Sequence, residues 1–570
     1  MWRKSEDIIR YQAGPKNETT SPAASGTRRR LLLPVTDWLT LLSTDSPARR
    51  ELLRSLYGPD ESLQQTRLAQ ILETLELFAR CFGEENEVVI ARAPGRVNLM
   101  GRHVDHRGGF VNMMTLHREI VVVAAARRDT WVNLVNAGAD FPDERFDLSE
   151  ELPYIRECTD WRDYIHSQRV QDFHSTSMGA WSNYVRAGLY RLIHHFPTHR
   201  FQGMDAAVGG DIPIGAGLSS SSSLLVATSL AYIALNSLRV RPATFVDLCG
   251  EGEWFVGTRG GAADHAAMTL STQGAVTPIT FFPFRIGAPV PLPEGYRLLV
   301  SNSGVQAKKT KGARDAFNHR VACYELAMAL FRKFFPRHTE EVEHLRDIPD
   351  KLGVSLPEFY QMVKRLPVRA DRFLLRQLLQ DRSDWLEQIF TTHREPTEYP
   401  LRSVFLYGVA ECERSRRFSE YLAAGELEKV GRLMQLSHCG DRVVQFDPDG
   451  TARLWNHDYD DGVLDRLSEM AANEDEAVRQ QADLMWQPGG YACSCWEIDQ
   501  LVDLSLQVEG VLGAQLSGAG MGGCMMVLAR EEAVEKVRQR LIEGYYQPRG
   551  LEPQVEVCSP VAGASTLAVK

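Results

Sequence analysis

Pro213-Ile214-Gly215-Ala216-Gly217-Leu218-Ser219-Ser220-Ser221-Ser222-Ser223 is the stretch that decides the fold. It follows an apolar run, Phe201 to Val208, that reads as a strand ending in Gly209-Gly210-Asp211. It opens directly onto Leu224 to Asn236, apolar and free of breakers, which reads as a helix. A flexible linker does not join a strand to an apolar helix in this way. Glycines let the backbone turn tightly and approach a ligand closely. A helix N-terminus presents unpaired N–H groups and a positive partial charge, so the loop suits a phosphate. The serine hydroxyls add donors for phosphate oxygens, and one that faces a metal can ligate Mg2+. No Gly-Lys-[Ser/Thr] follows the glycines, so this is not a P-loop, and the spacing does not fit a dinucleotide fingerprint.

Upstream, Val88-Val89-Ile90-Ala91 reads as a short strand running into Arg92-Ala93-Pro94-Gly95-Arg96, a turn-like break. Ile120 to Ala124 and Trp131 to Val135 read as further strands, and Trp181 to His194 as a helix. Leu68, Ile71, Leu72, Leu75 and Phe78 recur at helical spacing, and Gly83 follows where a C-cap would sit. Residues 1–30 are polar, end in Arg28-Arg29-Arg30, and read as a flexible tail. Downstream come a strand over 296–303, a helix over 315–335 and an amphipathic stretch over 336–400. Asp499 to Val508 reads as a helix. A second glycine loop, Ser517-Gly518-Ala519-Gly520-Met521-Gly522-Gly523-Cys524, leads into the strand Met525 to Leu528 and the helix Glu531 to Glu543. The mixture is α+β, without the regular alternation of a doubly wound sheet.

The chain has 570 residues, 44% hydrophobic and 24% charged, the balance of a globular protein with a large core. A net charge of −10 argues against non-specific binding to nucleic acid or to an anionic membrane. It leaves a small anionic substrate open, because local charge can oppose the global sign. No apolar run reaches the roughly 18 residues of a membrane span, and the N-terminus lacks a secretory h-region. Ten cysteines are scattered along the chain, and no His or Cys pair completes a zinc site around Cys493-x-Cys495. Reduced thiols and a cytoplasmic location are the expectation.

Pro94-Gly95-Arg96-Val97-Asn98-Leu99 with His103-x-Asp105, the Gly215–Ser221 loop, and Ser517 to Gly523 together resemble the three motifs of the GHMP kinases, the first in the form of the galactokinase branch. Trp181-Ser182-Asn183-Tyr184-Val185, Gly260-Gly261-Ala262-Ala263-Asp264-His265, Phe317-Asn318-His319-Arg320 and Ser437-His438 are similar to further galactokinase segments. The resemblance spans about 87 to 545. It implies a two-lobed α+β fold, with an N-terminal lobe like the second domain of ribosomal protein S5 and a ferredoxin-like C-terminal lobe. The expected divisions are a tail over 1–30, a helical extension over 31–86, an ATP-loop lobe over 87–300, and a second lobe over 301–570 with an insertion at about 340–398. The implied activity is ATP- and Mg2+-dependent phosphorylation of the anomeric hydroxyl of a monosaccharide, with no nucleic-acid or membrane partner. The oligomeric state is open.

The resemblance assigns roles residue by residue. Asp264 is the carboxylate that takes the proton of the sugar hydroxyl, and Arg96 stabilises the transferring phosphoryl group. Gly215, Ala216, Gly217, Leu218, Ser219, Ser220, Ser221 and Ser222 cradle the nucleotide. Ser221 ligates Mg2+ with Glu253, and Glu251 is the alternative ligand. Arg102, His103, Asp105, Gly261 and Phe317 face the sugar. Lys308, Lys309 and Lys311 read as a solvated basic loop, with nearness to the ATP phosphates as the alternative.

The sugar side departs from the family. Arg102 stands where galactokinases carry a glutamate, Phe317 where they carry a tyrosine, and His265 follows Asp264 in place of glutamine. A guanidinium cannot accept a hydroxyl bond. Three readings follow: galactose, with Arg102 turned to solvent or to an acidic neighbour; a uronic acid, with Arg102 pairing the C6 carboxylate; or another neutral sugar. Plant galacturonic acid kinases are similar in lacking the glutamate and in having His-x-Asp-His. A reading of another class is a sugar sensor that binds sugar and ATP without turnover. On the uronate reading, Arg102→Glu should abolish uronate turnover.

Overall fold

The computed structural model describes residues 31–177, 179–257, 261–306 and 311–568. The polar tail, Gly260, Lys308, Lys309 and the side chain of Lys311 lie outside the described residues.

Three helices come first: α1 (Val35–Ser43), α2 (Pro47–Tyr57) and α3 (Glu61–Phe82). Ser46 and Asp60 accept N–H groups of the first turns of α2 and α3, and Gly83 ends α3 at φ +100°, where a side chain would be strained. The first lobe then builds β1 (Glu87–Met100), β2 (Phe110–Ala126), β3 (Trp131–Asn136), β4 (Glu144–Asp147), α4 (Ser182–His195), β5 (Met204–Gly210), α5 (Ser220–Leu235), α6 (Pro242–Glu253), α7 (Ala263–Leu270) and β6 (Ala275–Thr280). β2 lies between β1 and β5, all antiparallel; β3 runs parallel to β5, β4 pairs with β3, and β6 takes the far end of β2. The second lobe contains β7 (Tyr296–Asn302), α8 (Lys311–Phe334), α9 (Leu401–Ala423), α10 (Leu427–Asp441), α11 (Trp496–Leu506), β8 (Val511–Leu516), β9 (Cys524–Arg530) and β10 (Val555–Val557). Its antiparallel sheet runs β8-β9-β7-β10. This is the two-lobed α+β fold.

The alternation of strand side chains explains why the first sheet carries helices on both faces. Val89 and Ala91 point to the core under α4 and α5, while Val88 and Ile90 point to α1–α3. A further core of Val97, Leu99, Leu218, Val300, Met434 and Met526 joins the two lobes. Residues 340–398 form short helices that share a core with α8 and α9. Among the described residues no helix is long and apolar enough to cross a membrane.

One sequence expectation changes. Arg92 to Arg96 is not a break: β1 continues through it to Met100, with register shifts between Pro94 and Arg96 and between Asn98 and Met100. Pro94 has no N–H to donate, so the strand bulges there and goes on. The bulge keeps Arg96 on a paired strand, which fixes its direction.

A buried acid helps pin the α1–α3 layer to the sheet. Glu119, fully buried on β2, accepts the Tyr57 hydroxyl at 2.6 Å and the Arg92 guanidinium. Arg92 in turn donates to the Ala562 and Gly563 carbonyls at 2.9 and 2.8 Å. Removing one partner of a buried pair strands the other charge. Glu119→Ala should therefore cost about 3–5 kcal/mol, read as a lowered urea midpoint, whereas Tyr57→Phe should cost only about 1 kcal/mol.

Candidate active site

The first glycine loop bridges β5 and α5, and the second glycine loop lies against it with backbone touching backbone. A Cβ on Gly518 would stand 2.8 Å from the Gly217 carbonyl oxygen, and one on Gly523 would stand 2.8 Å from Ala216. Cys524 N–H donates to the Ala216 carbonyl at 2.9 Å, and Gly523 N–H to Val305 at 2.7 Å. Only glycine fits such an approach. The serines form the first turn of α5, so the helix begins four residues earlier than its apolar run.

Ser219 is the N-cap of α5 in the left-handed region, φ +62°. That conformation is uncommon for a residue with a side chain and is held by its surroundings. Its hydroxyl does not cap the helix; it donates to Asp264 Oδ2 at 2.6 Å. Arg96 Nε donates to Asp264 Oδ1 at 2.6 Å in a two-pronged pair, and Nη1 donates to the Gly217 carbonyl at 2.7 Å. Asp264 thus lies in the first turn of α7, at the mouth of the loop, with 30% of its side chain exposed. Burial pushes its carboxyl up, but the Arg96 guanidinium and the Ser219 hydroxyl outweigh this, and the net shift is downward. The group is an ionised base beside a cradle of helix N–H groups.

Glu253, at the end of α6, accepts the Ser222 hydroxyl at 3.2 Å and lies 3.4 Å from His265 Nε2. Glu251 turns away to Arg191, whose Nη2 is 2.6 Å from its Oε2. Of the two acids, Glu253 is the one at the serine loop. The hydroxyl of Ser222, next to Ser221, donates to it.

On the other side of Asp264 lies the first-motif loop. Asp105 packs on Gly261, where a Cβ would stand 2.0 Å from its Oδ2. His106 Nδ1 lies 3.1 Å from Asp105 Oδ1. Burial raises the Asp105 carboxyl, but the His106 contact prevails and the net shift is downward. The start of the insertion supports this loop. A Cβ on Gly108 would meet the His344 ring at 2.6 Å, and Arg346 Nη1 donates to the Phe281 carbonyl at 2.6 Å. Phe317 lies half-buried on α8.

Arg102 does not open toward a ligand. It is 2% exposed, and its guanidinium is used inside the protein. Nη2 donates to Asp441 Oδ2 at 2.9 Å and to Ser437 Oγ at 3.0 Å, and Nη1 donates to Gln515 Oε1 at 2.6 Å. His103 is buried, stacks on Tyr491 at 4.1 Å, and has Nε2 at 3.3 Å from Asp441 Oδ1. The acidic neighbour Asp441 is therefore the counterpart of Arg102 in this structure. The Arg102→Glu exchange would set a second carboxylate against Asp441 in the interior, so loss of activity there would not diagnose uronate binding.

Sequence reading missed Asp441. It sits one helical turn after Ser437 on the same face of α10. An arginine in a glutamate position demands a buried counter-charge, and that demand was the available signal. Two other residues are structural. Trp181 donates from Nε1 to the Pro142 carbonyl at 2.9 Å in the core under β3 and β5. The Cys493 carbonyl accepts Met521 N–H at 2.7 Å, bracing the second glycine loop.

The galactokinase galactose-binding signature matches residues 76–126, the N-terminal domain of GHMP kinases 183–272, and their C-terminal domain 467–547. The chain is a galactokinase-like GHMP kinase. It is 28% identical over 490 residues to the galactokinase of Chloroflexus aggregans, covering 86% of this chain and 95% of that one. It is 23% identical to the galactokinase of Dictyostelium discoideum, covering 83% and 87%. The crystal structure of Lactococcus lactis galactokinase complexed with galactose shares the fold, with a TM-score of 0.57 and 21% identity over 86% of this chain and 98% of that one. This kinase is an ATP-dependent enzyme acting on a sugar.

Arg96 holds the Asp264 carboxyl below its ordinary range, so removing that cation lets the carboxyl rise. Arg96→Met should lower kcat/KM by about 10²–10³-fold. The acid limb of the residual rate should also move to higher pH by roughly 1–3 units, measured as a pH–rate profile.

Proposed function

We propose that this kinase transfers the γ-phosphoryl group of ATP to the anomeric hydroxyl of a neutral hexose, with galactose the leading candidate. The reading is carried by the ionised Asp264 carboxylate, set 2.6 Å from Ser219 at the N-terminus of α5 and paired with Arg96. In it, Asp264 accepts the proton of the sugar hydroxyl as that oxygen attacks the γ-phosphorus and ADP departs. Arg96 and the α5 N–H groups offset charge gathering on the phosphoryl oxygens. Gly215 to Ser222 cradle the nucleotide, and His103, Asp105, Gly261 and Phe317 line the sugar side. Residues 87–300 and 301–570 are its two lobes, with additions at 31–86 and about 340–398. A cytoplasmic location is proposed on the cysteine pattern of the sequence.

Mg2+ fits the donors present. Glu253 has an 11% exposed side chain beside the Ser222 hydroxyl, and its one paired basic group among the described residues is the His265 ring. Hard oxygen ligands of this kind suit a hard cation. Ser221 and Glu253 would hold Mg2+, which when bound neutralises charge on the β- and γ-phosphate oxygens.

The names of the relatives favour galactose over other neutral sugars. The Arg102–Asp441 pair weighs against a uronate, because the guanidinium already has its carboxylate. The intact Arg96–Asp264 pair weighs against a sensor without turnover.

ADP release coupled to a reporter, run on galactose, N-acetylgalactosamine, arabinose, galacturonate and glucuronate, tests this reading. Turnover of a neutral sugar, galactose foremost, is expected, reduced at least about 10²-fold in Asp264→Asn. Turnover of uronates alone would reverse the choice, and silence with ATP still bound would point to a sensor. Glu253→Gln should raise the Mg2+ concentration for half-maximal rate by roughly ten- to a hundredfold.

A further inference from the structure

We propose that Asp441 is a positioning residue that sets the charge preference of the sugar site: it neutralises Arg102 and orients His103, so that the site takes an uncharged hexose. The inference rests on the neutral-sugar reading above.

A buried guanidinium requires a counter-charge close by. Two acids lie near Arg102, and they are divided between tasks. Glu411 Oε1 accepts Gly101 N–H at 2.9 Å, Arg102 N–H at 3.2 Å and Ser437 Oγ at 2.9 Å, while its Oε2 accepts Arg414 Nε at 2.7 Å. That acid holds the backbone of the loop and is neutralised by Arg414. Asp441 is the carboxylate that meets the Arg102 side chain, with Oδ2 at 3.1 Å from Nε and 2.9 Å from Nη2.

The second oxygen of Asp441 does a different job. Oδ1 stands 3.3 Å from His103 Nε2, and neither atom has a well-formed hydrogen bond to another group. His103 holds a positive φ of 63° and lies face to face with Tyr491, so its ring has little freedom. One carboxylate therefore joins the charge at 102 to the imidazole at 103. Burial pushes the Asp441 carboxyl up, yet His103 and Arg102 together leave it well below the usual carboxylate range.

The same carboxylate forms, with His103 and Cys493, a group whose donor atoms lie within 4.8 Å of one another. Arg102 on the other oxygen sets a positive charge beside that group, and burial pushes the Cys493 thiol up to about 12. Both features oppose a bound cation.

Removing the charge of Asp441 leaves the Arg102 guanidinium buried without a counter-charge, held by Ser437 and Gln515 and next in sequence to His103. The uncompensated positive charge behind His103 then favours an anionic sugar over a neutral one through its field, without direct contact to Arg102. In Asp441→Asn, the ratio of kcat/KM for galacturonate to that for galactose should rise roughly tenfold or more, through the sugar KM, with the ATP KM within about twofold. The double variant Arg102→Met with Asp441→Leu removes both charges, a replacement that buried pairs commonly tolerate. Its ratio should stay at the parent value, while its galactose KM rises about tenfold as His103 loses its partner.

A parent that turns over only uronates would overturn the neutral-sugar reading itself. A parent that prefers galactose, with an unmoved ratio in Asp441→Asn, would overturn the role of Asp441 alone. An equal rise in the double variant would do the same, because charge would not be the cause. Should Asp441→Asn not fold, the double variant decides, and a parent-like galactose KM in it overturns the proposal. Stoichiometric Zn2+ retained by the parent and lost in Cys493→Ala would make the cluster a metal centre instead.

Discussion

Two glycine loops from different lobes meet backbone to backbone, Gly217 against Gly518 and Ala216 against Gly523, and the active site is arranged around that contact. Glycine on at least one side of each contact leaves room for the backbones to touch. The close approach draws the N-terminus of α5 up to β9 and leaves its first-turn serines at the mouth between the lobes. Arg96 is tied to the same place, since its own N–H donates to the Leu218 carbonyl at 3.3 Å and its guanidinium to Gly217. Base, cation and phosphate cradle are then positions on one small piece of backbone. Charge can develop there without much reorganisation of the protein.

Two arginine–carboxylate pairs of similar chemistry differ in access, and access separates their roles. Asp264 keeps 30% of its side chain exposed beside the loop, so its charge can act on a bound molecule. Asp441 is fully enclosed, and its charge acts only through Arg102 and His103. Taking charges out of water is costly unless each is paired and hydrogen-bonded. The closed pair meets that condition with Ser437 and Gln515; the open pair meets it with Ser219 and the Gly217 carbonyl.

The outer helices reach the same centre through the sheet. Arg67 of α3 donates to Asp211 at 3.0 and 2.6 Å, and Asp211 also accepts the Glu119 N–H at 3.0 Å. Asp211 directly precedes the first glycine loop in the chain. The α1–α3 layer thus fixes where β5 ends and the loop begins, besides covering apolar positions of β1 and β2.

Much of this protein is legible along the chain because its determinants are local. The apolar run after Ser223, the glycines of both loops and the spacing of Leu68 to Phe78 depend on backbone freedom and periodicity, which neighbours in sequence set. So the α+β class and the loop-to-helix cradle could be named from residues alone, whereas Arg96 and Asp264 became candidates through the resemblance of their motifs to those of galactokinases. The partners of buried charges could not. Arg102 and Asp441 are 339 positions apart, and nothing local says that one neutralises the other. The same holds for the choice between Glu251 and Glu253, both on α6, which is made by the direction each faces: Arg191 for one, Ser222 for the other. It holds too for β1 running on past Pro94, where pairing with β2 outweighs a local break signal. Desolvation makes these pairings obligatory, and only the tertiary structure decides which groups meet.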